Sequence, residues 1–404
     1  MRVGFDITWM RPDNRSGGIY QYAFRLILAL VEHTDVSVVT IVKPAGKGIL
    51  EHLKGYRNFR EVIIKPFSSF SDTVSSEKID VIHTPMQYFL NFSYSVPMIS
   101  TLHDLQHFYY PEFFKTHEIK FRNLFYKYSA EFGERVIVSF KHVREDTIKF
   151  YGIPGDKIDV CPIGFISPKP LDGSLFQVIK KKYSIPENYI IYTANTWRHK
   201  NHINLIRALK TVHEKYGLKI HLVCTGYKYP DYFPVLQSTV NNLNLNNFIK
   251  FTGYIQEDEA LALLKNSTLA VIPTLYEAGS FPLMEAMAYE VPVICSNVTS
   301  LPDTIGDKRF IFDPNDIDSI AEKIATMLTD EKLKTINIKN SNVRIMLNNW
   351  QNTVPIFLES YKKAVEGFKK KGRTGYLKAK TKNFCYTGLR FAFYTRDYLS
   401  NLRA

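Results

Sequence analysis

The sequence predicts an α/β protein built from two doubly wound, parallel-sheet domains. Three observations carry this. The chain of 404 residues is longer than one ordinary core organises. Short β-branched, apolar runs alternate with helical patterns from end to end, the signature of a parallel sheet covered by helices on both faces. That series then restarts after a connector.

The first set of strand-like runs is RVGFDI, VSVVTIV, KIDVIH, VPMIST and RVIVSF; the second is YIIYTAN, LKIHLVCTG, FIKFTG, STLAVIPT and VPVICS. Between them lie periodic helical segments such as IYQYAFRLILALVEH and NHINLIRALKTVHEKY. The connector VCPIGFISPKP is punctuated by Pro162, Gly164, Pro168 and Pro170 and sets a boundary near residue 165. Domains over 1–165 and 166–347 follow. Ligands of open α/β sheets bind beyond the carboxyl ends of the strands, so functional residues are sought there.

Composition narrows the class. With 45% hydrophobic and 23% charged residues the chain reads as globular rather than disordered. Cys161, Cys224, Cys295 and Cys385 lack CxxC spacing, and three lie in apolar runs, as reduced packing residues do. Asp6 interrupts the N-terminus too early for a leader's apolar core, and no apolar run reaches the roughly 18 residues of a membrane span. A cytoplasmic location is expected. The net charge of +13 is uneven: residues 368–404 hold ten basic residues against the single Asp397, nine of the thirteen excess charges. This tail also carries Phe384, Tyr386, Phe391, Phe393, Tyr394 and Tyr398. Cations interleaved with aromatics suit an anionic membrane surface. The segment KTHEIKFRNLFYKYSAEF repeats the theme, with a buried helix bearing one solvated face as the alternative. No RRM, KH or helix-turn-helix signature supports a nucleic-acid partner.

The most specific stretch is PTLYEAGSFPLMEAMAYEVPVICS, residues 273–296, between two strong strand runs. Ser280 suits an N-cap and Pro282 the first helical turn, so a helix runs from here towards Tyr289. Its free N–H groups and positive dipole end form a place for a diphosphate. Glu277 lies on the preceding loop and Glu285 eight positions later within the helix. A helical carboxylate can accept hydrogen bonds from a ribose diol; one on the loop can reach a sugar. The alternative is two ordinary capping or surface glutamates.

This segment resembles the E-x7-E signature of the retaining GT-B glycosyltransferases (group 1, family four), usually YEGFGLPVLEAMA. Tyr276, Glu277, Pro282, Glu285, Ala286, Met287 and Ala288 match; Ala278, Gly279, Ser280 and Phe281 depart from the Gly-Phe-Gly-Leu centre while keeping small residues at the phosphate turn. The resemblance runs to about residue 366. RPDNRSGGIYQYAFRLILAL places Gly17 and Gly18 between the first strand and first helix, like the family's Gly-rich phosphate loop. STLHDLQHF resembles its T-x-H-D motif, which puts His103 near the donor sugar's hydroxyls with Asp104 beside it. YTANTWRHKNHINLIRAL resembles the basic phosphate loop, in which Lys200 aligns; the arginine normally about five residues earlier is Asn195 here, and Arg198 is the nearest substitute. FTGYIQEDEALALLKNS would bring Gly253, Tyr254 and Ile255 near the base. NNWQNTVPIFLESYKKAVEG resembles the terminal helix returning to the first domain over 348–367, with Trp350 and Tyr361 as anchors.

The resemblance implies a GT-B fold and a retaining, nucleotide-sugar-dependent hexosyltransferase. His103, Glu277, Lys200 and Arg198 would act on the reacting sugar and the leaving diphosphate. Gly17, Gly18, Gly253, Tyr254, Gly279, Ser280, Phe281, Pro282 and Glu285 would line the donor site. Mannose from GDP-mannose leads, with glucose or N-acetylhexosamine behind, and a glycan or lipid-linked saccharide is the acceptor. Asp316-Ile317-Asp318 spells the metal-binding D-x-D of another glycosyltransferase fold, but it opens an amphipathic helix where aspartates cap. No metal and no cofactor besides the donor substrate is expected. The rivals are a sugar-nucleotide epimerase of the same fold, which lacks an acceptor, and a non-catalytic membrane- or nucleic-acid-binding protein.

Overall fold

The computed structural model describes residues 1–10, 17–64, 69–165 and 168–370. The chain forms two compact units, one of Met1–Ile163 with the described residues from Trp350 onward, the other of Gly164–Asn349.

The first unit holds a parallel sheet of β1 (Arg2–Asp6), β2 (Ser37–Val42), β3 (Phe59–Ile63), β4 (Val81–Thr84), β5 (Met98–Thr101), β6 (Arg135–Val138) and β7 (Ile158–Val160). Their spatial order is β3-β2-β1-β4-β5-β6-β7. Every residue of β4 and β5 is buried, the apolar ones as core and the polar His83, Thr84, Ser100 and Thr101 alongside them, so neither strand alternates with solvent. β3 and β7 were not legible as strands. Each lies at a sheet edge with a single neighbour; β3 carries Arg60 and Glu61, and β7 has only three residues. Edge strands tolerate the charges that hide the apolar signal.

The helix Thr116–Phe132 corrects one expectation. Its aromatic residues face inward rather than towards a membrane: Phe125 and Tyr126 are buried, Phe121 meets Tyr88 edge-on at 5.2 Å, and Phe132 meets Phe92 at 5.0 Å. Arg122 lies 3.7 Å from Asp104 and over the Phe114 ring. This is a core helix with a solvated face. The tail from residue 371 lies outside the described residues.

The chain is helical again from residue 350 to 370, against the expected 348–367. Trp350 is buried, and Tyr361 anchors a polar chain inside the first unit. The Tyr361 hydroxyl shares a hydrogen bond with His83 Nδ1 (2.9 Å), His83 Nε2 shares one with Thr101 Oγ1 (2.7 Å), and Thr101 Oγ1 shares one with the Tyr22 hydroxyl (3.1 Å). All four side chains are buried, so each bond offsets a desolvation cost. The chain links the terminal helix, β4, β5 and the helix Gly17–His33. Ser360 Oγ adds a bond to Asp159 Oδ2 at 2.7 Å.

The second unit holds β8 (Tyr189–Thr193), β9 (His221–Thr225), β10 (Ile249–Gly253), β11 (Leu269–Ile272), β12 (Val293–Ser296) and β13 (Ile311–Phe312), all parallel in the order β10-β9-β8-β11-β12-β13. Two-residue β13 was also illegible. Both sheets reverse direction of strand order at their centre, between β1 and β4 and between β8 and β11. Such switch points are where doubly wound sheets bind ligands.

Burial lowers several histidines: His83 and His202 to about 3, and His107 to about 4. Desolvation is the main cause in each, since burial penalises the imidazolium. The unfolded chain therefore takes up protons near pH 6.5 that the fold refuses. This stability is present above pH 6.5 and is lost as pH falls towards these depressed values. Urea unfolding at stepped pH should show stability falling from pH 6.5 to 5, with a shallower fall in His202→Gln. A flat profile there would contradict the burial argument.

Candidate active site

The second unit's switch point is built from two loops. After β8, residues Arg198–Lys200 make a single 3-10 turn ending at Asn201, whose φ of +57° is left-handed. Asparagine tolerates that region better than most residues. Buried Asn201 uses Nδ2 to donate to the carbonyls of Pro273 (2.9 Å) and Pro314 (2.8 Å). The His199 carbonyl accepts from the Leu275 N–H (2.8 Å) and from Thr274 Oγ1 (3.0 Å). Ser296 Oγ, at the end of β12, lies 3.0 Å from the Ile272 carbonyl and 2.6 Å from that of Thr274. The loop after β8 is thereby laced to the loop after β11.

This lacing brings Lys200 and Glu277 together. The ammonium donates to both carboxylate oxygens, at 2.7 and 2.8 Å, and the side chains are only 15% and 8% exposed. The Glu277 backbone is held too: its N–H donates to Thr299 Oγ1 at 3.2 Å. Arg198, on the same turn as Lys200, lays its guanidinium over the Tyr232 ring at 5.4 Å.

Three residues past Glu277, Ser280 Oγ accepts from the Leu283 N–H and caps the helix Phe281–Ala288, with Pro282 in its first turn. Gly279 and Phe281 flank the cap, and half-buried Glu285 lies one turn in. A lysine, an arginine and the Glu277 carboxylate thus lie on the loops after β8 and β11, followed by a capped helix start that carries Glu285 in its body. At the end of β10, two strands away from β8, Gly253 has φ +81° and its carbonyl accepts from the Gly226 N–H at 2.9 Å. Gly226 itself admits no side chain, since a Cβ there would meet the Ala194 backbone at 2.6 Å. Tyr254 is 63% exposed and Ile255 is buried.

The other site residues belong to the first unit. His103 follows β5, with its buried ring edge-on to Tyr22 at 4.7 Å and Nε2 3.3 Å from the Pro85 carbonyl. Burial lowers its pKa, so it stays neutral near pH 7. Gly17 and Gly18 require a correction: they form the first turn of the helix Gly17–His33 rather than a loop before it, with Gly17 at φ +57°. The preceding residues 11–16 lie outside the described residues.

Sequence reasoning missed Asn201 and the Thr274 and Ser296 hydroxyls, whose roles depend on carbonyls distant in sequence. It also missed Asp6 as a buried hydrogen-bonding centre. That carboxylate is fully buried at the end of β1, accepts from the Thr8 N–H and hydroxyl and from Asn91 Nδ2, and is raised by desolvation. An acid at a strand end was the available signal. Asp316 caps the helix Ile317–Thr329 through the N–H groups of Asp318 and Ser319, and Asp318 pairs with Lys215 at 3.1 Å. Among the described residues no group of three His, Cys, Asp or Glu side chains is placed to hold a metal ion.

Two parallel-sheet units, each wound about a central switch point, and an E-x7-E turn beside a basic loop define a GT-B glycosyltransferase architecture. The sequence family of group 1 glycosyl transferases matches residues 176–344, and glycosyltransferase family 4 matches residues 16–165. The chain belongs to the group 1 GT-B glycosyltransferases. It is 26% identical over 269 residues to O-antigen chain mannosyltransferase B of Escherichia coli, covering 65% of this chain and 70% of that protein. Against O-antigen chain mannosyltransferase RfbU of Salmonella typhimurium it is 24% identical over 330 residues, 77% of this chain and 87% of the relative. The fold matches the crystal structure of Anabaena Alr3699/HepE in complex with UDP and glucose with a TM-score of 0.68 at 17% identity, covering 89% of this chain and 98% of that one.

Replacing Ser280 by alanine removes the cap and leaves the Leu283 N–H without it. Unfolding measurements should show a loss of about 1 kcal/mol. An unchanged stability would mean that the cap contributes nothing to holding this turn.

Proposed function

We propose that the chain transfers a hexosyl group, mannose from GDP-mannose foremost, from a nucleotide diphosphate sugar to a glycan or lipid-linked acceptor in polysaccharide synthesis. The single observation behind this reading is the contact of Lys200 with Glu277 beside a capped helix start at the second switch point. Helix N–H groups and a lysine suit a diphosphate; a carboxylate suits sugar hydroxyls. The mannosyltransferase names of the two O-antigen relatives favour mannose and a glycan product.

Retention is what the family resemblance implies, and a front-face displacement fits it better than a double displacement, because Glu277 is paired with Lys200 rather than set aside as a nucleophile. In a front-face displacement the bond from the anomeric carbon to the diphosphate oxygen breaks while the acceptor oxygen bonds to the same face. The acceptor's proton passes to a phosphate oxygen of the leaving group. The protein's part is to position the reactants and to neutralise the departing charge through Lys200, Arg198 and N–H groups. Neutral His103 can hydrogen-bond a sugar hydroxyl. Asp316 and Asp318 are engaged in capping and pairing, so this mechanism assigns the leaving group to cations of the protein rather than to a divalent ion.

Incubation with GDP-mannose and lipid-linked saccharide extracts should give an α-linked product, read by NMR of the anomeric proton, at a rate little changed by excess EDTA. An inverted product, or activity abolished by chelation and restored by manganese, would overturn the mechanism. A thermal-shift screen of GDP- and UDP-sugars checks the donor independently, since binding raises the melting temperature by mass action.

The membrane reading now rests on the tail alone. Sedimentation with anionic liposomes should retain the full chain and recover far less of a chain ending at Gly367, with high salt weakening the difference. Equal recovery of both would remove the tail from the proposal.

A further inference from the structure

We propose that Glu277 is a specificity-determining competitor for Lys200, making the site prefer a sugar-bearing diphosphate over the bare nucleoside diphosphate left after transfer. The inference rests on the donor reading above and concerns what the ion pair does before and after the reaction.

The lysine ammonium is held by both Glu277 oxygens at 2.7 and 2.8 Å, and both side chains are largely withdrawn from water. A partner lost from such a pair leaves a buried charge, which is costly. Glu277 cannot escape that cost by swinging outward with its backbone, because its N–H is fixed to Thr299 Oγ1 and its carbonyl lies 3.5 Å from Ser300 Oγ. The other cation of the turn, Arg198, has its guanidinium over the Tyr232 ring.

Two of the ammonium's three N–H groups serve Glu277, so a diphosphate that draws more than the third to itself must weaken or break the pair. An intact sugar nucleotide offers a remedy, because sugar hydroxyls can donate to the abandoned carboxylate. A bare nucleoside diphosphate offers none, and adds like-charge repulsion. When the sugar departs, Glu277 loses its donors and reclaims the lysine, and the spent nucleotide is weakened in the same step. Product release thus comes from the residue that gripped the sugar.

The ordinary expectation for a ligand-contacting residue is that its loss weakens all ligands alike. The competitor role demands opposite signs. Titration calorimetry on the full chain with GDP, UDP and the corresponding sugar nucleotides separates the two. In Glu277→Gln the diphosphate accepted by the wild type should bind about tenfold tighter, a conservative share of the coupling seen between close charge pairs. The matching sugar nucleotide should bind no tighter than before, so the preference collapses. Glu277→Ala should show the same tightening for the bare diphosphate, and cooperative melting of both variants establishes that they are folded. In Lys200→Gln, adding Glu277→Gln should yield a much smaller gain. Unchanged or weaker binding of the bare diphosphate in both Glu277 variants overturns the proposal, with the donor reading intact. A gain undiminished in the Lys200→Gln background also overturns it, leaving repulsion alone. Wild-type protein that binds none of these nucleotides overturns the donor reading, and this inference with it.

Discussion

The parallel pairing of β8 with β11 is the constraint from which the candidate site follows. Leu269 and Ala270 register with Ile190 and Ile191, so two strands far apart in the chain finish side by side. Chain order reverses about this pair, so the covering connections run away from it in opposite directions and leave their loops at the junction. Lys200 and Glu277, 77 positions apart, meet there. The lacing through Asn201, His199 and Thr274 then converts adjacency of strands into a defined distance between charges. Backbone carbonyls at strand ends have no further strand to bond, and these side chains satisfy them.

The two switch points are furnished differently. Around β1, β4 and β5 the buried polar groups are hydroxyls, an amide and neutral imidazoles, and Asp6 is raised towards its neutral form. Around β8 and β11 an ion pair is retained in near-complete burial. Neutral groups in full hydrogen bonding can be buried for scaffolding, whereas a buried ion pair gains little stability over apolar packing. A charged pair at the candidate site fits the proposed chemistry better than a role in folding. The arrangement of Tyr22, Thr101, His83 and Tyr361 behind His103 belongs to the first kind, fixing its surroundings from the terminal helix.

Much of this was legible in residues alone. The long central strands were readable because burial on both faces demands continuous apolar runs. The Ser280 cap and Pro282 were readable because a helix start has local chemistry. Asp316 was readable as a cap for the same reason. β3, β7 and β13 were not, because a short or charged edge strand borrows its conformation from its single neighbour. The helix Thr116–Phe132 misled because interleaved cations and aromatics look alike whether the rings meet lipid or a core. Only the neighbours Tyr88 and Phe92 distinguish the two.

The sequence by itself therefore determined the two-sheet α/β class, the order of the principal elements, and the identity of most residues at the strand ends. Each of these depends on local patterning, where periodicity, caps and turn residues act within a few positions. Only the tertiary structure decided that Lys200 and Glu277 hold each other, that Asn201 carries the turn between them, and that Tyr361 reaches His83 across 278 positions. Those contacts join segments with no local signal of one another, and they exist because parallel pairing brings distant strand ends to the same edge.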